Sequence, residues 1–226
     1  MTNLMHLSAP SLAGVPMDTV GLVALAAALG WGSGLRLYAV VFLTGLVGRL
    51  GWVPLPDGLH VLTHPLLLGA AGVMLAVEFL ADKVPWVDSL WDAIHTFIRI
   101  PAGAALAAGV ASSYAGGDSH AWTLVAALLG GTLSATAHTA KAATRAAANT
   151  SPEPFSNLGL SLAGDVSVPA MLWLAWAHPL VFLVVLAVVL LVMLVLIVVL
   201  MRFLRGLVRR LAQRFGASHA QRSTPP

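Results

Sequence analysis

The chain of 226 residues contains no cysteine and few charged residues. Without thiols it cannot form disulfides, iron–sulfur clusters or thiolate zinc sites, and it has no cysteine nucleophile. Charged residues make up 9% of the chain and hydrophobic residues 58%, whereas a soluble domain has about 25% and 45–50%. The composition therefore excludes an ordinary soluble protein and predicts a protein embedded in a lipid bilayer.

Hydrophobic runs of transmembrane length recur along the chain. A transmembrane helix needs about 20 mostly apolar residues, and six such runs lie between proline, glycine and charged positions. They cover approximately residues 19–50, 65–81, 88–113, 121–148, 157–177 and 180–201. The sequence predicts an all-α, polytopic transmembrane helix bundle of about six spans, in which the first span is weakened at the glycine-rich segment 30–34.

Basic residues are concentrated at the C-terminal end. Six of the twelve Lys and Arg residues follow residue 201: Arg202, Arg205, Arg209, Arg210, Arg214 and Arg222. Such a tail suits an anionic membrane surface, and nucleic acid is not an expected partner. Because positive residues favour the cytoplasmic side, we expect this tail, and after six spans also the N-terminus, to lie in the cytoplasm.

The domain organisation follows from these patterns. We expect an N-terminal segment over 1–18, a transmembrane domain over 19–201 and an Arg-rich amphipathic cytoplasmic tail over 202–226. The N-terminus lacks the positive segment of a signal peptide, so we expect it to be retained. The predicted location is the inner membrane of a bacterium, where the chain is a multi-pass protein.

A weak internal repeat suggests two halves. Segment 82–85 shares an Asp followed by Val-Pro with segment 165–169, and segments 26–30 and 126–130 share Ala-Ala and Leu-Gly. Two three-span halves would have opposite orientations, an inverted repeat from which many transporters build a site with broken helices. We therefore hypothesise two inverted three-span repeats.

Polar stripes lie on the third and fourth predicted spans. With spacings of 0, 4, 7 and 11, the third span presents on one helical face Asp88, Asp92, His95 and Arg99. The fourth span repeats this spacing with mostly basic residues: Ser134, His138, Lys141 and Arg145. Ionisable groups inside a membrane are costly and mark functional candidates. We expect Asp92 and His95 to face the bundle interior, near Lys141 or Arg145.

The suspected intramembrane charges are balanced in number. Five are acidic: Glu78, Asp82, Asp88, Asp92 and Asp165. Five are basic: Arg36, Lys83, Arg99, Lys141 and Arg145. Because an unpaired buried charge is expensive, the balance predicts a charge network around a functional cavity. The alternative is that these residues pair at the interface and only hold the helices in register.

Several of these residues carry a family resemblance. The matching positions are Gly34-Leu35-Arg36, Glu78, the segment Ala81 to Pro85, and Asp88, Trp91-Asp92, His95-Thr96 and Arg99. Over about residues 19–177 the chain resembles the family of bacterial membrane proteins known as domain of unknown function 4126. The resemblance implies a polytopic membrane protein and no particular reaction.

The preferred hypothesis is a small transporter or flippase-like permease for an anionic substrate that bears a phosphate or carboxylate, including a lipid-linked one. Six side chains are predicted to bind this substrate: Arg36, Lys83, Arg99, His138, Lys141 and Arg145. Six others are predicted to carry a coupling proton or ion: Glu78, Asp82, Asp88, Asp92, His95 and Asp165. Neither a catalytic residue nor a cofactor is predicted. The expected partners are membrane lipids, the anion and, as an open alternative, a second copy of the chain.

Two other functions remain open. In the first, a membrane enzyme acts on a lipid phosphate, with magnesium held by Asp82, Asp88 and Asp92. Asp92 and His95, one turn apart, also have the chemistry of ligands for a divalent metal. In the second, the protein is a structural membrane subunit and the charges only join helices.

Overall fold

The computed structural model describes residues 17–84, 87–112, 119–150 and 154–220, and in these ranges every regular element is a helix. The elements are α1 (Thr19–Arg49), a 3-10 helix (Asp57–Thr63), α2 (Pro65–Ala81), α3 (Val87–Ala111), α4 (Ser119–Ala148), α5 (Pro154–Ala177) and α6 (Pro179–Ala220). The predicted all-helical class is confirmed for this part of the chain.

Four of the described helices, α1, α3, α5 and α6, are long and apolar enough to cross a membrane. The 3-10 helix and α2, joined at a bend of 70°, are together also long and apolar enough to cross a membrane. Helix α4 is predicted as a span but lies outside this set, and its sequence is rich in Ala, Thr and Gly and carries Lys141 and Arg145. The fold is thus that of a multi-pass membrane protein, with four or five apolar spans among the described residues; the predicted number of about six stays a prediction.

Helix α1 is a hairpin of two helical arms, residues 19–35 and 37–49. Arg36 joins the arms with non-helical backbone angles, φ −145° and ψ 77°. A Cβ atom added to Gly32 would lie 2.8 Å from Cγ2 of Val40, although eight residues of continuous α-helix rise about 12 Å. The second arm therefore folds back along the first. The sequence predicts a weak point of the helix within residues 30–34, whereas the break lies two residues later, at Arg36.

This hairpin lies at the centre of the bundle. Of the apolar stretch of α1, 72% is buried, against 6% of that of α6. Its glycines permit close helix contact, since a Cβ atom on Gly30 would lie 2.7 Å from Cα of Gly130 in α4. Gly34 approaches Ser134 in the same way. Small residues let membrane helices pack this closely, so the hairpin and α4 form a tight unit.

Helix directions follow from these contacts. Gly30 and Gly34 meet Gly130 and Ser134 in the same order along the chain, so the first arm of α1 and helix α4 run parallel. Gly103 of α3 lies near Ser134 of α4, and Ala107 of α3 lies near Gly130 of α4. A later residue of α3 thus meets an earlier residue of α4. Because the order is reversed, α3 and α4 are antiparallel.

The last two helices place the start of α1 relative to the Arg-rich part of α6. Helix α5 runs opposite to the first arm of α1, since Asp165 pairs with Arg36 and Val168 lies near Gly32. Helix α6 turns back from α5 at His178, and both helices line one cavity. The start of α1 and the Arg-rich part of α6 consequently lie at opposite ends of the bundle. The described residues, which begin at Met17, give no support to the prediction of both ends on one side, because the first predicted span turns back at Arg36.

The described residues do not support the inverted repeat. Segments 26–30 and 126–130 lie on parallel helices, whereas α2 and α5, which carry the other match, run in opposite directions. A two-fold axis in the membrane plane reverses every equivalent helix, so it cannot relate both sequence matches. Pro85, which belongs to one match, lies outside the described residues.

Helix α6 continues without a break from Pro179 to Ala220. Its apolar part lies at the outer surface of the bundle, with only 6% of the stretch buried. The predicted tail 202–226 does not start a new element, because its first residues extend the same helix with exposed side chains at Arg202, Arg205, Arg209 and Arg210. Residues 221–226 and the Arg214 side chain lie outside the described part.

Candidate functional site

Ionisable side chains from five helices converge around the break in α1. Arg36, 2% exposed, holds its Nη1 atom 2.7 Å from Oδ2 of Asp82 and its Nη2 atom 2.7 Å from Oδ1 of Asp165. The same Nη2 donates to the carbonyl oxygen of Ser161 at 3.2 Å and to its Oγ at 3.1 Å. The unwound backbone at Arg36 thus brings the end of α2 and the middle of α5 to one guanidinium group.

Asp82 is the carboxylate on which most cations converge. Its Oδ2 atom lies 2.7 Å from Arg36, 3.3 Å from Nζ of Lys141 and 3.3 Å from Nη2 of Arg145. Arg145 also donates to the Asp82 carbonyl oxygen at 3.0 Å. The neighbouring Lys83 pairs instead with Asp165, at 3.3 Å. We call Arg36, Asp82, Lys141 and Arg145 the cavity group.

A second set of charges lies between α2 and α3. Arg99, whose side chain is 0% exposed, pairs with Glu78 and with Asp92, each at 2.7 Å. We call Glu78, Asp92 and Arg99 the closed group. Lys141 links it to the cavity group, since its Nζ atom lies 2.9 Å from Oδ1 of Asp92. All the ionisable residues predicted for the site therefore belong to one ion-pair network, except the two histidines and Asp88, whose side chain lies outside the described part.

The stripes on α3 and α4 face each other, as the matching spacing predicted. Besides the Asp92–Lys141 pair, Oγ1 of Thr96 lies 2.7 Å from Nε2 of His138. Oγ of Ser134 donates to the carbonyl oxygen of Arg99 at 2.9 Å. Polar contacts thus join the two helices over several turns.

His95 is buried as expected but has different neighbours from those predicted. Its Nε2 atom lies 3.2 Å from the Tyr38 hydroxyl, and its Nδ1 atom donates to the carbonyl oxygen of Trp91 at 2.8 Å. Its ring stacks on the indole of Trp91 with centroids 4.0 Å apart. The second arm of α1 thus brings to His95 a neighbour, Tyr38, that the sequence did not predict.

A cavity of about 450 Å³ adjoins the cavity group. Its charged lining consists of Arg36, Asp82, Lys141 and Arg145. The remainder is mostly apolar and comes from α1, α4, α5 and α6, including Trp31, Leu35, Ala163, Ala170, Met193 and Leu196. This volume lies within the range of about 300–1,000 Å³ for ligand pockets. The cavity has a charged end and an apolar end.

One residue that lines this cavity has a buried donor without an acceptor among the described residues, Nε1 of Trp31. Nη1 of Arg36 is held by its ion pair with Oδ2 of Asp82, at 2.7 Å. Both residues are 2% exposed. Buried polar groups are normally hydrogen-bonded, so the indole of Trp31 is a donor that a ligand oxygen could satisfy.

The described charges carry a positive excess. Five cations, Arg36, Lys83, Arg99, Lys141 and Arg145, face four carboxylates, Glu78, Asp82, Asp92 and Asp165. Within the described ranges, no three Asp, Glu or His side chains come together as a metal site requires. Asp82 and Asp92, offered as magnesium ligands in the enzyme alternative, contact cations instead.

Several polar residues that contact the predicted site residues were not predicted from the sequence. Ser161 bonds to Arg36 and also lies 3.5 Å from Nζ of Lys83. It precedes Asp165 by one helical turn, a spacing that could have placed it on the same face. Tyr38 and Trp31 offered no comparable signal, because their positions depend on the fold-back of α1.

Fold and site together define a helical multi-pass membrane protein with a buried charge network around a broken central helix. Residues 23–199 match the family described as Domain of unknown function (DUF4126). Since the match covers most of the chain and includes both charge groups, the chain belongs to this family, which confirms the resemblance seen in its sequence. No curated protein and no solved structure matches the chain.

Proposed function

We propose that the protein is a membrane transporter, a permease or flippase-like protein, for a substrate with an anionic phosphate or carboxylate group. The observation that carries this proposal is the cavity of about 450 Å³ whose charged lining sets three cations, Arg36, Lys141 and Arg145, against one carboxylate, that of Asp82. An anion would balance the excess positive charge, and charge-assisted hydrogen bonds to arginine are the strong ones.

The cavity group supports this proposal by its geometry. Three cations converge on one carboxylate oxygen of Asp82. An acidic group of the substrate would compete with Asp82 for these cations, so Asp82 acts as a tethered anion that closes the site when substrate is absent. Lys83 and Asp165 lie next to the cavity group, since they pair with each other and Asp165 also pairs with Arg36. The binding roles of Arg99 and His138 are not part of this proposal, since neither lines the cavity.

The closed group is the proposed site of proton coupling. The second oxygens of Glu78 and Asp92, Oε2 and Oδ2, are buried and accept no hydrogen bond from the described residues. Such an oxygen can hold a proton without breaking an existing bond. Lys141 contacts both Asp92 and Asp82. Protonation of Asp92 would therefore weaken one ion pair of Lys141 and change how strongly this lysine attracts the substrate anion.

For the orientation, we propose that the Arg-rich end of α6 faces the cytoplasm in a bacterial inner membrane, because translocation of basic segments is disfavoured. The start of α1 then faces the other side. Because the chain lacks cysteine, Asp18→Cys and Gln213→Cys each introduce a single thiol. In intact cells an impermeant maleimide should label only the first variant. Labelling of both or only of the second contradicts this orientation.

Transport can be tested in proteoliposomes with two probes, radiolabelled inorganic phosphate and fluorescent phosphatidate. We expect at least one probe to cross faster than in protein-free liposomes, and a proton gradient to accelerate it. Glu78→Gln should remove the effect of the gradient while movement down the probe's own gradient persists. If neither probe moves faster with protein than without it, under any gradient, the transport proposal is wrong.

A further inference from the structure

We infer that the cavity takes the phosphate of a lipid, whose acyl chain lies along α5 and α6 and reaches the cavity sideways from the bilayer. This inference rests on the proposed function, and it names the substrate class of the same site. It depends on three features of the cavity: the apolar lining, the opening at the bundle surface, and the number of donors at the charged end.

The apolar lining is larger than a small soluble anion needs. On α5 it includes Ala163, Ala170 and Met171, and on α6 it includes Val189 and Met193. None of these side chains can bind phosphate or carboxylate. Burial of methylene groups against them is favourable, so the lining matches a hydrocarbon chain that continues from an acidic head.

The lining also reaches the outer surface of the bundle. Ala163 and Ala170 are exposed although they line the cavity, and Leu196 is 40% exposed. Helix α6 covers this side, and the rest of its surface is apolar and only 6% buried. A chain can therefore pass between the cavity and the surrounding lipid without crossing a polar barrier.

The depth of the opening points to one leaflet. Leu196 precedes Arg202 by six residues, a rise of about 9 Å along an α-helix. The opening thus lies near the membrane face at which the exposed arginines of α6 begin. Arginines at that face attract anionic lipids and so raise their local concentration beside the opening.

The charged end favours phosphate over carboxylate. Arg36, Lys141 and Arg145 converge there, and Trp31 adds an indole donor. A phosphate monoester offers three terminal oxygens and nearly two negative charges, whereas a carboxylate offers two oxygens and one charge. The greater number of acceptors matches the greater number of donors.

The test is a set of binding measurements on the purified full-length protein with four probes: dipalmitoyl phosphatidate, dipalmitoyl phosphatidylcholine, palmitate and inorganic phosphate. We expect phosphatidate to bind at least tenfold more tightly than each of the others. Equal binding of inorganic phosphate overturns the lipid inference and leaves the proposed anion transport standing. Equal binding of palmitate overturns the choice of phosphate, and absence of binding by all four contradicts both proposals.

A pair of variants on α5 locates the acyl chain. Ala170→Trp fills the apolar end of the cavity and should weaken phosphatidate binding at least tenfold, with inorganic phosphate binding unchanged. Ala177→Trp, an equally exposed alanine on the same helix that does not line the cavity, should change neither. The unchanged phosphate binding shows that Ala170→Trp is folded. If Ala170→Trp binds phosphatidate like the wild type, the assigned chain position is wrong.

Discussion

The closed group and the cavity group contain similar residues and share Lys141, yet their surroundings differ. In the closed group, Arg99 lies between Glu78 and Asp92, and none of these three side chains lines the cavity of about 450 Å³. In the cavity group, Asp82 contacts three cations and lines that cavity with them. Similar charges therefore lie in different surroundings, and substitutions in the two groups should have different effects.

This difference changes what substitutions in the closed group should do. From the sequence, Asp92→Asn and Arg99→Gln are expected to abolish activity at near wild-type stability if the charges form a transport site, and to lower stability by about 3–5 kcal/mol if they only join the helices. With Arg99 fully buried between two carboxylates, its loss leaves Glu78 without its cation. A stability effect is now expected for Arg99, and a pure binding effect only in the cavity group.

The largest expected effect is that of Arg99→Gln, which tests the closed group. We expect it to destabilise the protein by about 3–5 kcal/mol, the usual cost of breaking a buried ion pair. The measurement is the unfolding transition in detergent. The double variant Glu78→Leu with Arg99→Met removes both charges, so that no unpaired carboxylate stays at position 78. It should therefore recover much of the stability that Arg99→Gln loses. Wild-type stability of Arg99→Gln would show that solvent reaches the closed group.

Next in size is Gly30→Ala, which tests the packing of the central hairpin against α4. The added methyl group meets the backbone of Gly130, and overpacking of this kind costs about 1–3 kcal/mol. Gly69→Ala in α2 is the control, since nothing lies within 4 Å of its Cβ position; it should be neutral or stabilising by up to about 1 kcal/mol. Equal melting temperatures of the two variants would refute the close helix contact.

Arg145→Gln tests the cavity group. Asp82 keeps Arg36 and Lys141, so we expect a smaller loss of stability than for Arg99→Gln. Anion affinity should fall about tenfold, which corresponds to about 1.4 kcal/mol. Arg49→Gln, which removes an exposed arginine whose bond is to Thr63, should leave affinity unchanged. If Arg145→Gln unfolds the protein and binds no worse while folded, the two groups do not differ as described.

The smallest effect is expected on the outer face of α6, where neither group is in contact. Val195 is 55% exposed, so Val195→Leu should change stability by less than about 0.5 kcal/mol and leave anion binding as it is. The same two measurements apply. A marked loss in either would indicate that this face packs against another protein.

Most of the residues at the site could be found from the sequence, because ionisable groups are rare in a chain with 9% charged residues. Their helical spacing also predicted that α3 and α4 face each other, as the Asp92–Lys141 contact shows. The division into two groups could not be predicted. It depends on which charges adjoin the cavity between α1, α4, α5 and α6, and that cavity is formed by residues far apart in the chain.

The membrane class, the helices and the charged residues can be read from the amino-acid sequence alone, because hydrophobicity and helical periodicity are local properties. The course of α1, by contrast, depends on contacts between residues of different helices. Its segment 19–49 is apolar and long enough to span, and only contacts such as Gly32 with Val40 reveal that it folds back at Arg36. That reversal places the start of α1 and the Arg-rich end of α6 at opposite ends of the bundle. It also brings Asp82 and Asp165 to Arg36, because packing across the whole bundle determines which groups a buried charge contacts.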